Sequence, residues 1–156
     1  MAILNYTTEV PLERSIGEIS QLLARKGAKS IQTDYSDTGS PTGLAFVMAV
    51  GGLLVRFQLP NNAEGVYRVI LKDKPYNVNR RCTLEAYQQR IRLQAERVSW
   101  RIVKDWVEAQ LALIESGQAE MGQVFMPYAM QRDGRTMYEI FVENNQKQLG
   151  TGGGDA

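Results

Sequence analysis

LAFVMAVGGLLVRFQL, residues 44–59, holds two apolar runs joined by Gly51-Gly52. Adjacent glycines accept positive φ at both central positions of a tight hairpin turn, whose twist matches that of the strands it joins. A two-residue turn leaves the register no freedom. Val50 falls opposite Leu53, Met48 opposite Val55, Phe46 opposite Phe57 and Leu44 opposite Leu59. Side chains alternate along a strand, so these eight share one face, which is expected to meet a core. The other face sets Ala45, Val47 and Ala49 against Leu54, Arg56 and Gln58, and is expected to be half exposed.

Outward from the hairpin, SDTGSPTG (36–43) is turn chemistry, and residues 29–36 before it predict a strand with Ile31, Thr33 and Tyr35 on one face. Residues 3–10 alternate Leu4, Tyr6, Thr8 and Val10 and predict a first strand. Between these two, Ser15 and Glu18 have the spacing of a capping box, and Ile16, Ile19, Leu22 and Leu23 follow at helical spacing. The helix is predicted over about 15–26, with Gly27 as its stop. After the hairpin, Asn61-Asn62 can cap a helix carrying Ala63, Val66, Tyr67 and Ile70 to about residue 72. KDKPYNVNRR (72–81) is a basic loop broken by Pro75. Thr83 can cap a long helix over 84–116, closed by Gly117. Residues 121–130 predict a short irregular stretch around Pro127, and Asp133-Gly134 a turn. Met137, Ile140 and Phe141 suit a short final helix, with a strand as the alternative.

The predicted fold is α+β: an antiparallel sheet in β-α-β-β-β-α-α order, a long central helix and a short C-terminal helical appendage. One domain is expected over 1–145. A polar, glycine-rich tail is expected over 146–156. Three strands between two helices are similar in topology to double-stranded-RNA-binding domains. The chain lacks that family's basic helix-start signature, and topology carries no function.

The long helix divides its residues sharply. At about 100° per residue, Arg97, Arg101, Lys104 and Glu108 all fall within about 40° of Arg90. Tyr87, Ile91, Val98, Ile102 and Trp106 occupy one apolar band, and Leu93, Trp100, Val103, Val107, Leu111 and Ile114 a second. An amphipathic helix ordinarily has one. The second band needs a partner, either the segment 121–142 or a second subunit, so a homo-oligomer through this face of helix 84–116 is one expectation. In VSWRIVKDW (98–106) the two tryptophans point about 120° apart, each with its own band. They pack; they do not offer a stacking surface.

Net charge is only +1, which hides an asymmetry. Residues 72–104 carry nine Lys and Arg against three acids, a net +6. The remainder carries nine against fourteen, a net −5. A concentrated basic segment suggests a polyanion partner, nucleic acid or a nucleotide ligand. The candidate contacts are Lys72, Lys74, Tyr76, Arg80, Arg81, Arg90, Arg97, Arg101 and Lys104. The competing expectation is an ordinary solvated face, with Lys104 and Glu108 paired at i,i+4.

Catalysis is not expected. The chain has no histidine, which removes the commonest general base and metal ligand and excludes Ser-His-Asp and Cys-His machinery. Cys82 is the only cysteine, and a lone cysteine at a helix start is ordinarily incidental. Asp34 and Asp37 flank a turn that explains them without a metal. No glycine set follows a strand and opens a helix as a phosphate loop requires. No catalytic residue, metal or cofactor is therefore assigned. No apolar run reaches about 18 residues, so no membrane helix is expected, and the first residues, MAILNYTTEVPLERS, lack the basic and apolar regions of a signal peptide.

The stretch RVSWRIVKDWVEAQLALIESGQAEMGQVFMPYAM (97–130) followed by DGRTMYEIF (133–141), with PTGLAF and VYRVILKDK upstream, resembles uncharacterised proteins of similar length encoded by bacteriophages and other mobile elements. The resemblance implies an accessory protein working in a bacterial cytoplasm. Such proteins bind nucleic acid, sequester a nucleotide immune signal as an oligomeric sponge, or block host proteins; a structural virion component is a further alternative.

Overall fold

A computed structural model describes residues 2–151. The elements are α1 (Leu12–Arg25), β1 (Ser30–Tyr35), β2 (Pro41–Val50), β3 (Leu53–Gln58), α2 (Ala63–Asp73), α3 (Leu84–Glu115), α4 (Met121–Phe125), a 3₁₀ turn (Met126–Tyr128) and α5 (Met137–Thr151). The class is α+β, with one antiparallel sheet in the order β1-β2-β3. The chain forms two compact units, one of residues 1–23 and 60–111, the other of residues 24–59 and 112–156.

The sheet belongs to the second unit, and its hairpin has the predicted register: Phe46 pairs with Phe57, Met48 with Val55 and Val50 with Leu53. Leu59 N–H donates to the Leu44 carbonyl at 2.9 Å, continuing it. Gly51 and Gly52 have φ of 57° and 83°, as the primed turn demands. Burial grades along the shared face. Leu44, Phe46, Phe57 and Leu59 are buried, while Leu53 at the tip is 72% exposed. The deep end is an aromatic cluster. Phe46 stacks on Phe57 with centroids 5.2 Å apart, and Phe125 meets Phe46 edge-on at 5.6 Å. Phe125 comes from α4, inside the stretch expected to be irregular; Pro127 instead opens a 3₁₀ turn. Tyr35 leaves the face predicted for it and is exposed, because the β1–β2 register shifts between Asp34 and Tyr35.

The predicted first strand does not form. Residues 4–7 form turns, with Tyr6 N–H donating to the Ile3 carbonyl and Thr8 N–H to the Asn5 carbonyl, and Asn5 at φ 63°. Gln94 Nε2 donates to the carbonyls of Tyr6 and Thr8 at 3.0 and 2.9 Å, occupying acceptors that a strand would offer a neighbour. Leu4 and Tyr6 are exposed, so no apolar face rewards an extended conformation. The element order therefore starts with a helix.

That helix begins at Leu12, not at Ser15. The N–H groups of Arg14 and Ser15 both reach the Pro11 carbonyl, and proline's fixed φ suits a helix start. Ser15 is fully buried and its hydroxyl makes no hydrogen bond, so it caps nothing. A genuine capping box opens α5: Glu139 N–H donates to Thr136 Oγ1 at 3.2 Å and Thr136 N–H to Glu139 Oε2 at 2.9 Å. Residues 146–151, placed by composition in a tail, are the last turns of α5; residues 152–156 lie outside the described residues.

Helix α3 has the length read from its periodicity. Thr83 Oγ1 accepts from Ala86 N–H, and Gly117 at φ 74° ends it. In the first unit, Tyr87, Ile91, Ala95 and Val98 of α3 pack with Val66, Tyr67 and Ile70 of α2. Most of the second apolar band is buried as well, although Leu93 is 46% exposed. Trp100, Val103, Val107 and Leu111 are all less than a tenth exposed within one chain, so their burial does not require a second subunit. No helix among the described residues is long and apolar enough to cross a membrane.

Candidate anion-binding site

Three of the nine predicted contacts come together. Arg80, Arg81 and Arg90 line one shallow, open depression with Cys82, at the start of α3 in the first unit. The loop before α3 is shaped locally. Asn77 Oδ1 accepts from Asn79 N–H, and the Asn77 carbonyl accepts from Arg80 N–H, making a tight turn that presents Arg80. Thr83 then caps the helix, and about two turns on, Arg90 comes to the same depression.

Tyr87 organises the cluster. Its ring is buried, with Arg80 Cζ 4.6 Å and Arg90 Cζ 5.4 Å from the centroid. Both lie within cation–π range of about 6 Å. The ring is fixed in turn: its hydroxyl donates to the Lys74 carbonyl, and it packs at a tilt of 47° on Tyr76 with centroids 5.6 Å apart. Two guanidinium groups are thus held beside one aromatic ring, and among the described residues neither is salt-bridged by an acid. Among the described residues Arg81 also forms no ion pair. The helix start adds about half a positive charge, opposed by Glu85 in the first turn, which does not line the depression. The site accumulates positive charge and leaves its donors free, which suits a phosphate or carboxylate.

The other predicted contacts are placed differently. Lys72 is exposed on the last turn of α2. Lys74 caps α2, and its ammonium lies over the Tyr6 ring at 4.8 Å. Tyr76 is half-buried, its hydroxyl donating to the Cys82 carbonyl at 2.8 Å, so it is a support and not an exposed stacking surface. Arg97 donates to Gln94 Oε1 at 3.3 Å. Arg101 pairs with Glu18 Oε2 at 2.6 Å, and Lys104 with Glu108 Oε2 at 2.5 Å, and their side chains are only 20% and 14% exposed. Hydrogen bonding from Arg101, aided by its charge, holds the Glu18 carboxyl below its ordinary value against the opposing effect of burial. Arg101 thus ties α1 to α3, while Lys104 and Glu108 form the i,i+4 pair within α3 that the competing reading expected; neither cation is left for a ligand. Arg92, also on α3, pairs with Glu64 at 2.8 Å and lies over the Tyr67 ring at 4.0 Å.

Tyr87 was read only as an apolar contact. Its spacing held the signal, since Tyr87 and Arg90 are an i,i+3 pair and therefore neighbours on the helix surface. Asp34 is engaged by Gln32 Nε2 at 2.7 Å, and no group of three or more potential metal ligands occurs among the described residues. Comparison with protein-family models, curated proteins and solved structures gives no match.

Proposed function

We propose that the protein is a non-enzymatic binder of phosphate-bearing polyanions, in particular nucleic acid, acting through Arg80, Arg81 and Arg90, with Lys72 and Lys74 nearby in sequence. One observation carries the reading: three arginines line a single depression and, among the described residues, none is paired with an acid, although Arg92, Arg101 and Lys104 are paired elsewhere on the same helix. Burying or crowding like charges without a counterion is unfavourable, so a concentration left unpaired is the part of the surface best suited to an external anion. An accessory role in phage or mobile-element propagation remains part of the proposal, with the resemblance of 97–141 as its support.

The test is a binding titration of a labelled single-stranded oligonucleotide against the protein at rising salt. Neutralising phosphates releases counterions, so affinity is expected to fall steadily as salt rises. Affinity indifferent to salt sinks the reading. A heat-released, ultraviolet-absorbing ligand in the purified protein would shift it toward a free nucleotide.

A further inference from the structure

Resting on that reading, we infer that the depression takes a terminal phosphomonoester, the charged end of a nucleotide or oligonucleotide, and not a run of internal phosphodiesters.

Three observations lead there. The first is extent. A strand of phosphodiesters needs a track of free cations, and the sequence offers one along α3. In the structure the track stops early. Among the described residues Arg90 has no acid partner, Arg97 is held by an amide, and Arg101 and Lys104 are held by carboxylates. Arg101 is eleven residues beyond Arg90, roughly 16 Å at 1.5 Å per residue. What remains is a point of charge at one end of the helix.

The second is valence. A phosphomonoester carries about −1.5 to −2 at neutral pH and has three strong acceptor oxygens, whereas an internal diester carries a single charge. Three guanidinium groups around one depression match the former, since each can give two parallel N–H donors to one phosphate. Tyr87 holds two of the three beside one another before any ligand arrives, so less ordering is needed on binding.

The third is the missing base platform. Proteins that track single strands stack successive bases on exposed aromatic rings. Here Tyr87 is buried, Tyr76 is half-buried with its hydroxyl engaged, the exposed Tyr6 ring already carries the Lys74 ammonium, and both tryptophans lie on apolar bands of α3. The depression itself is lined by arginines and a cysteine. The head group is read and the base is not.

The experiment compares one fluorescent 12-nucleotide single strand, labelled at its 3′ end, with and without a 5′-phosphate, by anisotropy at low salt. At least a tenfold tighter binding of the phosphorylated strand is expected, largely lost in Arg81→Ala, a substitution at an exposed residue with no ion pair to disturb. The phosphorylated strand should also show the shallow salt slope of one or two phosphates, on the order of 1–2 in log–log units, where six contacts would give about 4. Competition by a nucleoside 5′-monophosphate separates the sources: competition equal to the phosphorylated strand assigns a free nucleotide, weaker competition assigns a polymer end. Equal, salt-sensitive binding of the two strands overturns this inference and leaves polyanion binding standing. No binding of either strand overturns both.

Discussion

The two ends of the α3 cation stripe differ in everything except their residues. At the far end, Arg101 and Lys104 are largely covered and committed to Glu18 and Glu108. At the near end, Arg80, Arg81 and Arg90 line one depression, Arg80 and Arg90 beside the Tyr87 ring, and among the described residues none of the three is paired with an acid. A helical projection shows one stripe, because angle is all it measures. What separates the ends is what other elements bring: α1 brings a carboxylate to one, the loop before α3 brings two more cations to the other. Removing charge at the two ends should therefore have opposite consequences. The largest expected effect is on affinity. Replacing Arg80, Arg81 and Arg90 together with alanine should weaken oligonucleotide binding on the order of 100-fold, as expected for the loss of several charge-assisted hydrogen bonds worth about 1.5–3 kcal/mol each before compensation. Replacing Arg101 and Lys104 should change it less than about twofold. If anisotropy titrations show equal losses, the division of the stripe is wrong.

Stability should divide the other way. Arg101→Met keeps much of the apolar stem but leaves the Glu18 carboxylate, which is only 29% exposed, without its shortest ion-pair partner. A cost of about 1–2 kcal/mol in urea unfolding is expected, given that such groups lie between surface pairs and buried ones. Arg81→Ala should stay within about 0.5 kcal/mol of the parent, as exposed substitutions do. A double-mutant cycle with Glu18→Gln measures the coupling directly; additive effects would mean that the contact between α1 and α3 contributes nothing as an ion pair.

The same contrast explains what could be read from the chain. The hairpin was legible because a two-glycine turn fixes its register by geometry, with no input from elsewhere. The length of α3 was legible because Thr83 and Gly117 mark its ends locally. Capping-box spacing was not enough. Ser15–Glu18 and Thr136–Glu139 share the pattern, yet only the second is a cap. The first fails because Pro11 has already started the helix, so that Ser15 turns inward and Glu18 points to Arg101. The alternation of residues 3–10 misled for a related reason, since Gln94, far away in sequence, takes the carbonyls a strand would use. Of the nine candidate contacts, the three that form the depression were named, but nothing local distinguished them from the two held in ion pairs. Periodicity reports direction, and only tertiary contact reports what lies there.

The smallest expected effect is the most specific to the pair that closes the far end of the stripe. Arg101 holds the Glu18 carboxyl below 4.5, its ordinary value. A carboxyl whose folded value is depressed favours the folded state above the unfolded value and loses that contribution as pH falls through the folded one. The parent should therefore exceed Glu18→Gln in unfolding free energy at pH 7, by no more than about 1 kcal/mol because the pair is partly exposed to solvent. The gap should be unchanged down to about pH 5 and should close on further acidification. Arg81→Ala should track the parent throughout that range, because no carboxylate of the fold depends on it. A gap that persists undiminished well below pH 4 would mean that Glu18 acts through packing, and the covered end of the stripe would then be held by its shape and not by its charge.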